Sequence, residues 1–416
     1  MSVCVVGAGV VGLACAWELA RAGADVVVLD GKTVGGGVSR GNAGWVCPTL
    51  TAPLPAPGMV REGLRQLVKR SGALTLRPRA DPVLARWLWT FARSCTFTRY
   101  ESGTRALLAL NRRTMELYDG YRAAGVRFEM HDTGLVLAAR TREGLAPYLR
   151  LVRLLAQLGS DTRVDELDGR EAARVEPALD GAAIECALYA HTGRYVRPEE
   201  LTAGLADSLR QLGADVRERT PVSGLHAADG AGWRLTTAGG DLHADQVVVA
   251  AGLGSARLLH GHGIRVPLAG ARGYSVTVTG EGTPPAHALY LTEAKLALSA
   301  FATGVRVAGV LELGARDATP PAGAGEKLLD AAKPYLAGWR PAAGDAPRAW
   351  AGLRPASADG LPLIGAVPGR AGLYVAAGHT MSGVALAPAT AAVLAPLVLH
   401  GVQAPELEPF DPGRSP

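Results

Sequence analysis

Residues 3–30, VCVVGAGVVGLACAWELARAGADVVVLD, decide the fold. An apolar strand, Val3 to Val6, runs into Gly7-Ala8-Gly9-Val10-Val11-Gly12. A helix-like run to Ala22 follows, then Gly23 and a second apolar strand, Val26 to Leu29, ending at Asp30. Strand, glycine turn, helix and strand in this order make a dinucleotide-binding βαβ unit. Gly7 allows the tight turn, Gly9 lets a pyrophosphate approach the backbone, and Gly12 lets helix and strand pack closely. Val10 and Val11 open the helix, whose N-terminus supplies N–H donors and partial positive charge. Asp30 sits where a carboxylate accepts hydrogen bonds from ribose hydroxyls. A glycine turn without a ligand is the competing reading of GxGxxG alone; the strand, helix and acid around it weigh against that.

The chain has 416 residues, of which 48% are hydrophobic, with 53 Gly and 27 Pro. That length suits two interleaved domains with ample core. The five cysteines (Cys4, Cys15, Cys47, Cys95, Cys186) show no CxxC spacing. No disulfide framework or metal site is expected, and a reducing cytoplasm fits best. The sequence opens directly on a strand, without a signal peptide, and shows no run of about 20 apolar residues for a membrane span. A formal charge of +5 is too mild to argue for nucleic acid.

Gly35-Gly36-Gly37 and a proline-rich loop (Pro48, Pro53, Pro55, Pro57) lead the chain out of the nucleotide unit. Helices are predicted at Val60–Lys69, Pro82–Ser94, Arg105–Ala124 and Gly144–Gly159, and a strand pair within Arg127–Ala139. A helix over 199–212, a strand at Asp215–Arg219 and a small meander at Trp233–His243 precede the buried strand Ala244–Gly252. Alternating strands run from Tyr274 to Val278 and from Leu289 to Leu313, and Ala315–Gly325 reads as a surface loop. A strand at Gly372–Ala377 leads through Gly378-His379 into a helix from Gly383, and the proline-rich tail reads as frayed. The predicted class is α/β: a discontinuous Rossmann-like nucleotide-binding domain (1–50, 165–260, 345–403), an antiparallel-sheet substrate domain with a helical insertion (51–164, 261–344), and a tail (404–416).

Two features favour FAD over NAD. The strand Ala244–Gly254 returns the chain to the cofactor, and a C-terminal helix starting near Gly383 aims its positive end at a developing anion. A reduced flavin is such an anion. Six motifs, GAGVVG, SRGNAGWVCP, ADQVVVAAGLGS, RGYSVTV, WAGLRPASADGLPLIG and LYVAAGH, occur in the order seen in the D-amino-acid oxidase/dehydrogenase superfamily. The chain resembles its bacterial D-amino-acid dehydrogenases over nearly its whole length. The resemblance implies noncovalent FAD and oxidation of a C–N bond by hydride transfer to flavin N5. The imine then hydrolyses. It further implies that Gly7, Gly9 and Gly12 hold the pyrophosphate and Asp30 the adenosine ribose. Gly31, Lys32, Ser39, Arg40, Asn42, Ala43 and Gly44 line phosphates and flavin. Val222 presents its backbone to adenine, Ala251 and Gly252 cover the cofactor, and Gly378, His379, Met381, Ser382, Gly383 and Val384 reach the pyrimidine edge. Relatives that tether FAD use a cysteine near the segment matching Leu353 and Arg354; no cysteine follows Cys186 here, which excludes that thioether.

The family holds the substrate carboxylate with an arginine, whose planar fork pairs bidentately. Where the resemblance expects it, Ala300 stands. Either Arg272, Arg306 or Arg354 takes the carboxylate, or the substrate is an amine without a free carboxylate. Tyr274, with Tyr290, Phe301 and Trp45, is the candidate aromatic wall; plain core packing is the alternative. A flavin-binding subunit without turnover is the rival of another class. Between Arg61 and Arg105, basic residues outnumber acids and Trp87, Trp89 and Phe91 are interleaved. Such a stretch suits peripheral contact with the inner face of an anionic membrane and electron transfer to quinone, with O2 as the other acceptor. A helical lid with a solvated basic face is the plainer alternative and is preferred.

Overall fold

The computed structural model describes residues 1–61, 74–76, 81–228, 230–264, 266–342 and 348–414. The predicted helix Val60–Lys69 lies mostly outside them.

One sheet is built from strands far apart in sequence, in the spatial order Asp215–Arg217, Asp25–Leu29, Ser2–Val6, Gln246–Val249, Leu373–Ala377, Leu363–Ala366. The first five run parallel and the last is antiparallel. A parallel sheet is covered on both faces, which is why its strands read as unbroken apolar runs. The helices Val10–Arg21, Pro198–Gln211 and Gly383–His400 share one core with one face of it, through Leu13, Trp17, Leu201, Leu205, Leu386 and Leu394. The meander of Val222–Ala227, Trp233–Thr237 and Gly240–Ala244 packs Leu225, Trp233 and Leu235 against Cys4, Val247 and Val249 on the other. All five cysteines are free.

Gly383–His400 is apolar and long enough to cross a membrane, at a mean hydropathy of 1.7. It escapes the search for a long apolar run because it has only 18 residues. Its burial in the nucleotide core accounts for that composition.

The second sheet has nine strands. Its centre is an antiparallel stack of Trp350–Ser357, Leu268–Val278, Gly304–Leu313, Leu296–Phe301 and Ala288–Leu291. Strand Gly304–Leu313 carries a bulge opposite Gly273, with Val310 in the left-handed region at φ 62. Leu135–Ala139, Cys186–Ala190 and Val164–Asp168 extend the sheet.

The chain crosses between units more often than the sequence suggests. Residues 164–190 join the second sheet, although 165–260 is predicted as nucleotide-binding; the backbone pairing of Val164–Asp168 with Cys186–Ala190 decides it. Trp350–Ser357 likewise pairs with Leu268–Val278. Conversely, Ala106, Leu110, Tyr118 and Tyr121, predicted for the substrate domain, pack into the nucleotide core. The predicted helix Arg105–Ala124 is two helices, Phe97–Asn111 and Thr114–Ala123. The predicted loop Ala315–Gly325 ends in a helix, Ala324–Ala332. The tail is anchored: Leu407 and Phe410 are buried, and Arg414 pairs with Asp359 at 2.8 Å.

Candidate active site

A cavity of about 580 Å³ lies where the two sheets face each other, within the usual range for small-molecule sites. Its nucleotide side is made largely of backbone. A Cβ on Gly7 would stand 2.4 Å from the Ala250 oxygen, and one on Gly12 would stand 1.9 Å from the Gly7 oxygen. Both glycines are demanded by packing. A Cβ on Gly9 would meet only Ser39 Oγ, at 3.3 Å, so Gly9 opens on the cavity and leaves room for a ligand to approach the chain. The Asp30 carboxylate accepts from the amides of Ala8 and Lys32, both at 2.7 Å, and so pins the glycine turn. Ser39 Oγ accepts from the Val10 amide at 3.1 Å. Two helix N-termini, at Val10 and Gly383, converge on the space. An open glycine, an acid at the second strand and converging positive helix ends fit the FAD implied by the resemblance.

Most cofactor residues expected from the sequence line this cavity: Gly7, Gly9, Val10, Val11, Asp30, Gly31, Lys32, Ser39, Asn42, Val222, Ala251, Gly252, Gly378, His379, Gly383 and Val384. Gly12, Arg40, Ala43, Gly44, Met381 and Ser382 do not. Gly12 serves helix packing, and Gly44 packs on Val196, whose oxygen would lie 1.8 Å from a Cβ there. Met381 is half exposed, and Ser382 stands at the N-cap position of the C-terminal helix without a side-chain capping bond. Residues the sequence did not single out also line the space, among them Leu253, Arg257, Ala318, Trp350 and Thr380. Arg257 donates to the carbonyl oxygens of Val222 and Ser223 at 3.0 and 3.3 Å. The Trp350 ring lies between Gly41 and Gly352, where a Cβ would come within 2.0 and 2.2 Å of it. Those two glycines inside quoted motifs were the available signal.

Strand register sorts the substrate candidates by face. Ser299 pairs with Arg306, and Ala300 with Val305. On one face, Arg306 donates to the Asn42 oxygen at 2.9 Å, Ser299 Oγ donates to the Ala43 oxygen at 2.8 Å, and Trp350 lies against Gly41. This face looks at the nucleotide unit. Trp350, Gly352 and Arg354 alternate along it. Ala300 belongs to the opposite face, where it packs with the Tyr274, Leu298, Val305 and Leu328 cluster. The inference drawn from an alanine at position 300 is therefore corrected: its side chain does not reach the cavity. Tyr274 faces the same way and donates to Glu312. Burial and Glu312 push its phenol up to about 12.

The three arginines differ in what surrounds them. Arg272 is bound to Glu312 at 2.7 Å and to Asp317 at 2.8 Å. Arg306 is bound to Glu199 at 2.7 Å and to loop carbonyls. Neither keeps a fork for a ligand. Arg354 lines the cavity and makes no hydrogen bond or ion pair with another described residue. Its guanidinium lies over Gly273, where a Cβ would stand 2.7 Å from Nη2. Burial holds its acidity above normal, so its pKa lies below the ordinary arginine value, with Tyr290 in electrostatic reach opposing the shift. Trp45 is turned to Ser299 (Nε1 to Oγ, 2.9 Å) and meets Tyr290 edge-on at 5.7 Å. His379 is 6% exposed, its Nε2 within 3.0 Å of Thr390 Oγ1, and burial pushes its pKa down to about 4.

The fold and this crevice define a flavin-dependent oxidoreductase. Residues 2–397 match the family described as FAD dependent oxidoreductase, and the chain belongs to it. It is 32% identical to the D-amino acid dehydrogenase of Cereibacter sphaeroides, over 99% of this chain and 94% of that one. Identity to the D-amino acid dehydrogenase of Vibrio vulnificus is 31%, over 91% of each chain. Among solved structures it resembles glycine oxidase from Geobacillus kaustophilus, with a TM-score of 0.78, 25% identity, and coverage of 100% and 98%. Iminodiacetate oxidase from a Chelativorans species has the same fold, with a TM-score of 0.74, 24% identity, and coverage of 99% and 98%. The protein is an FAD-dependent oxidoreductase acting on amino acids or amines.

Proposed function

We propose that the chain oxidises the C–N bond of a D-amino acid with a free carboxylate, and that Arg354 holds that carboxylate. The single observation that carries this is the unpaired guanidinium of Arg354 at the cavity. Arg354 is half-buried at the cavity wall, and a guanidinium without a protein partner keeps its planar fork available for a bidentate carboxylate. The residues named above as cavity-lining would hold FAD without a covalent bond, which supplies the hydride acceptor at N5. The other roles fall to the chain. Arg354 would fix one end of the substrate and so limit how it can lie in the crevice. Trp350, between its two glycines, gives a rigid apolar wall. His379 stays neutral at physiological pH and offers no ready proton store, so the amine sheds its proton to solvent. The imine product then hydrolyses to a 2-oxo acid and ammonia. The preference for the D enantiomer follows the curated relatives. Anaerobic mixing with D-amino acids, glycine, proline derivatives and simple amines tests this by flavin bleaching. Bleaching by D-amino acids is expected. Bleaching only by amines favours a carboxylate-free substrate, and no bleaching at all favours a non-catalytic flavin protein.

We further propose peripheral contact with an anionic membrane as the route to a quinone acceptor. Helix Pro82–Ser94 packs Leu84, Trp87 and Phe91 on the second sheet, beside Ala271 and Ala356. Its outer side exposes Val83 and Trp89 together with Arg86 and Arg93. Co-sedimentation with anionic but not zwitterionic vesicles, lost in Trp89→Ala, is the expected outcome. Equal recovery with both lipids would leave the plainer lid in place and O2 as the acceptor.

A further inference from the structure

Arg306 stands among the substrate candidates by sequence, yet its surroundings give it a different task. It is 5% exposed. Every nitrogen of its guanidinium is engaged. Nε donates to Thr277 Oγ1 at 3.0 Å, Nη1 to the Asn42 oxygen at 2.9 Å and the Arg40 oxygen at 3.3 Å, and Nη2 to Glu199 Oε1 at 2.7 Å. The plane lies over the Phe301 ring at 5.1 Å.

The loop it grips, 39–44, is the wall between the two units. Ser39 and Asn42 line the cavity. Ser39 also receives the Val10 amide at the start of the nucleotide helix. On the sheet side, Ser299 Oγ donates to the Ala43 oxygen, and Trp45 Nε1 donates to Ser299 Oγ. Glu199 comes from the first turn of helix Pro198–Gln211, which belongs to the nucleotide core. One side chain on the second sheet thus ties together that sheet, the cavity loop and a nucleotide-side helix.

We infer that Arg306 is a positioning residue for the cofactor: it fixes loop 39–44 against the second sheet and so sets the width of the crevice. Lysine cannot replace it. The guanidinium offers five donors in a plane that reaches three separate directions, whereas an ammonium offers three donors at one point. This inference rests on the FAD crevice described above and not on the identity of the substrate.

The experiment is an FAD titration of apoprotein, followed by flavin fluorescence, on the full-length parent, Arg306→Lys and Ser299→Ala. Arg306→Lys is expected to weaken FAD at least tenfold, and Ser299→Ala, which removes the neighbouring tie to Ala43, at least threefold. With FAD saturating, the KM of Arg306→Lys for an oxidised amino acid is expected to stay within threefold of the parent, while kcat falls. FAD binding within threefold of the parent in Arg306→Lys would overturn the inference, as would a tenfold rise in KM at saturating FAD, which marks a substrate ligand. Should Arg306→Lys not fold, Glu199→Gln takes its place: it keeps the arginine and removes its charge partner. Threefold weaker FAD then supports the inference and parent-like binding overturns it. The titration needs no substrate, so failure of the amino-acid assignment leaves it intact. A parent protein that binds no FAD would defeat the crevice assignment instead.

Discussion

The nucleotide side of the cavity and the sheet face opposite it are built on different principles. The first is made of backbone: Gly7, Gly9 and Gly12 differ in what a missing Cβ would meet, and of the three only Gly7 sits at a positive φ, 119. The second is made of side chains whose meaning depends on parity and partners. Arg272, Arg306 and Arg354 are alike in sequence, but two are consumed by Glu312, Asp317 and Glu199 and one is free to meet a ligand. A site made from backbone declares itself in glycine spacing. A site made from side chains declares itself only when the partners are known.

The sharpest way to break this contrast is within the glycines. Gly12→Ala puts a methyl 1.9 Å from a backbone oxygen and is expected to cost upwards of about 3 kcal/mol or the fold itself, read as soluble yield and denaturation midpoint. Gly9→Ala is expected to leave the midpoint within about 1 kcal/mol of the parent while weakening FAD roughly tenfold. Equal destabilisation by both would show that Gly9, too, is a packing residue.

On the side-chain face, Arg354→Gln is expected to lower kcat/KM for D-amino acids a hundredfold or more, about 3 kcal/mol, with FAD retained. A variant that loses its flavin, or keeps its kcat/KM, would move Arg354 out of the substrate site.

His379 sharpens the comparison from the backbone side. Its folded pKa, near 4, lies below the unfolded value. Its neutral form is therefore favoured by folding, and that stability is whole above about pH 6.5 and lost as pH falls toward 4. The loss is at most ~3 kcal/mol. His379→Asn should flatten the pH dependence of the thermal midpoint across that window; an unchanged slope would assign acid sensitivity to other groups.

The smallest effect is expected at Ala300. Because its side chain faces away from the cavity, Ala300→Arg should change kcat/KM for D-amino acids by less than threefold, below about 0.7 kcal/mol. A tenfold gain would restore position 300 as the carboxylate site.

Much of the fold is legible in the sequence. The βαβ unit, the meander and the C-terminal strand and helix stand where their residues predict. What escaped was long-range. Ala300 was misjudged because a strand's facing depends on pairing with Val305, not on the strand's own letters. The free arginine could not be chosen without Glu199, Glu312 and Asp317, each of which lies 40 or more residues from the arginine it binds. The tail was read as frayed from its prolines, although Leu407 and Phe410 are the kind of anchors that hold a terminus down.

The strand order carries a consequence in time. Ser2–Val6 pairs with Gln246–Val249, which in turn pairs with Leu373–Ala377. Strand Ser2–Val6 thus belongs to a sheet whose last members arrive some 370 residues later, about 20 to 70 seconds at ordinary synthesis rates. Until then two apolar strands and their helix stand without the neighbours that cover them. Such long-range pairing slows assembly and leaves sticky intermediates. Speed of translation and access to chaperones therefore bear on how much flavin-competent protein a cell obtains.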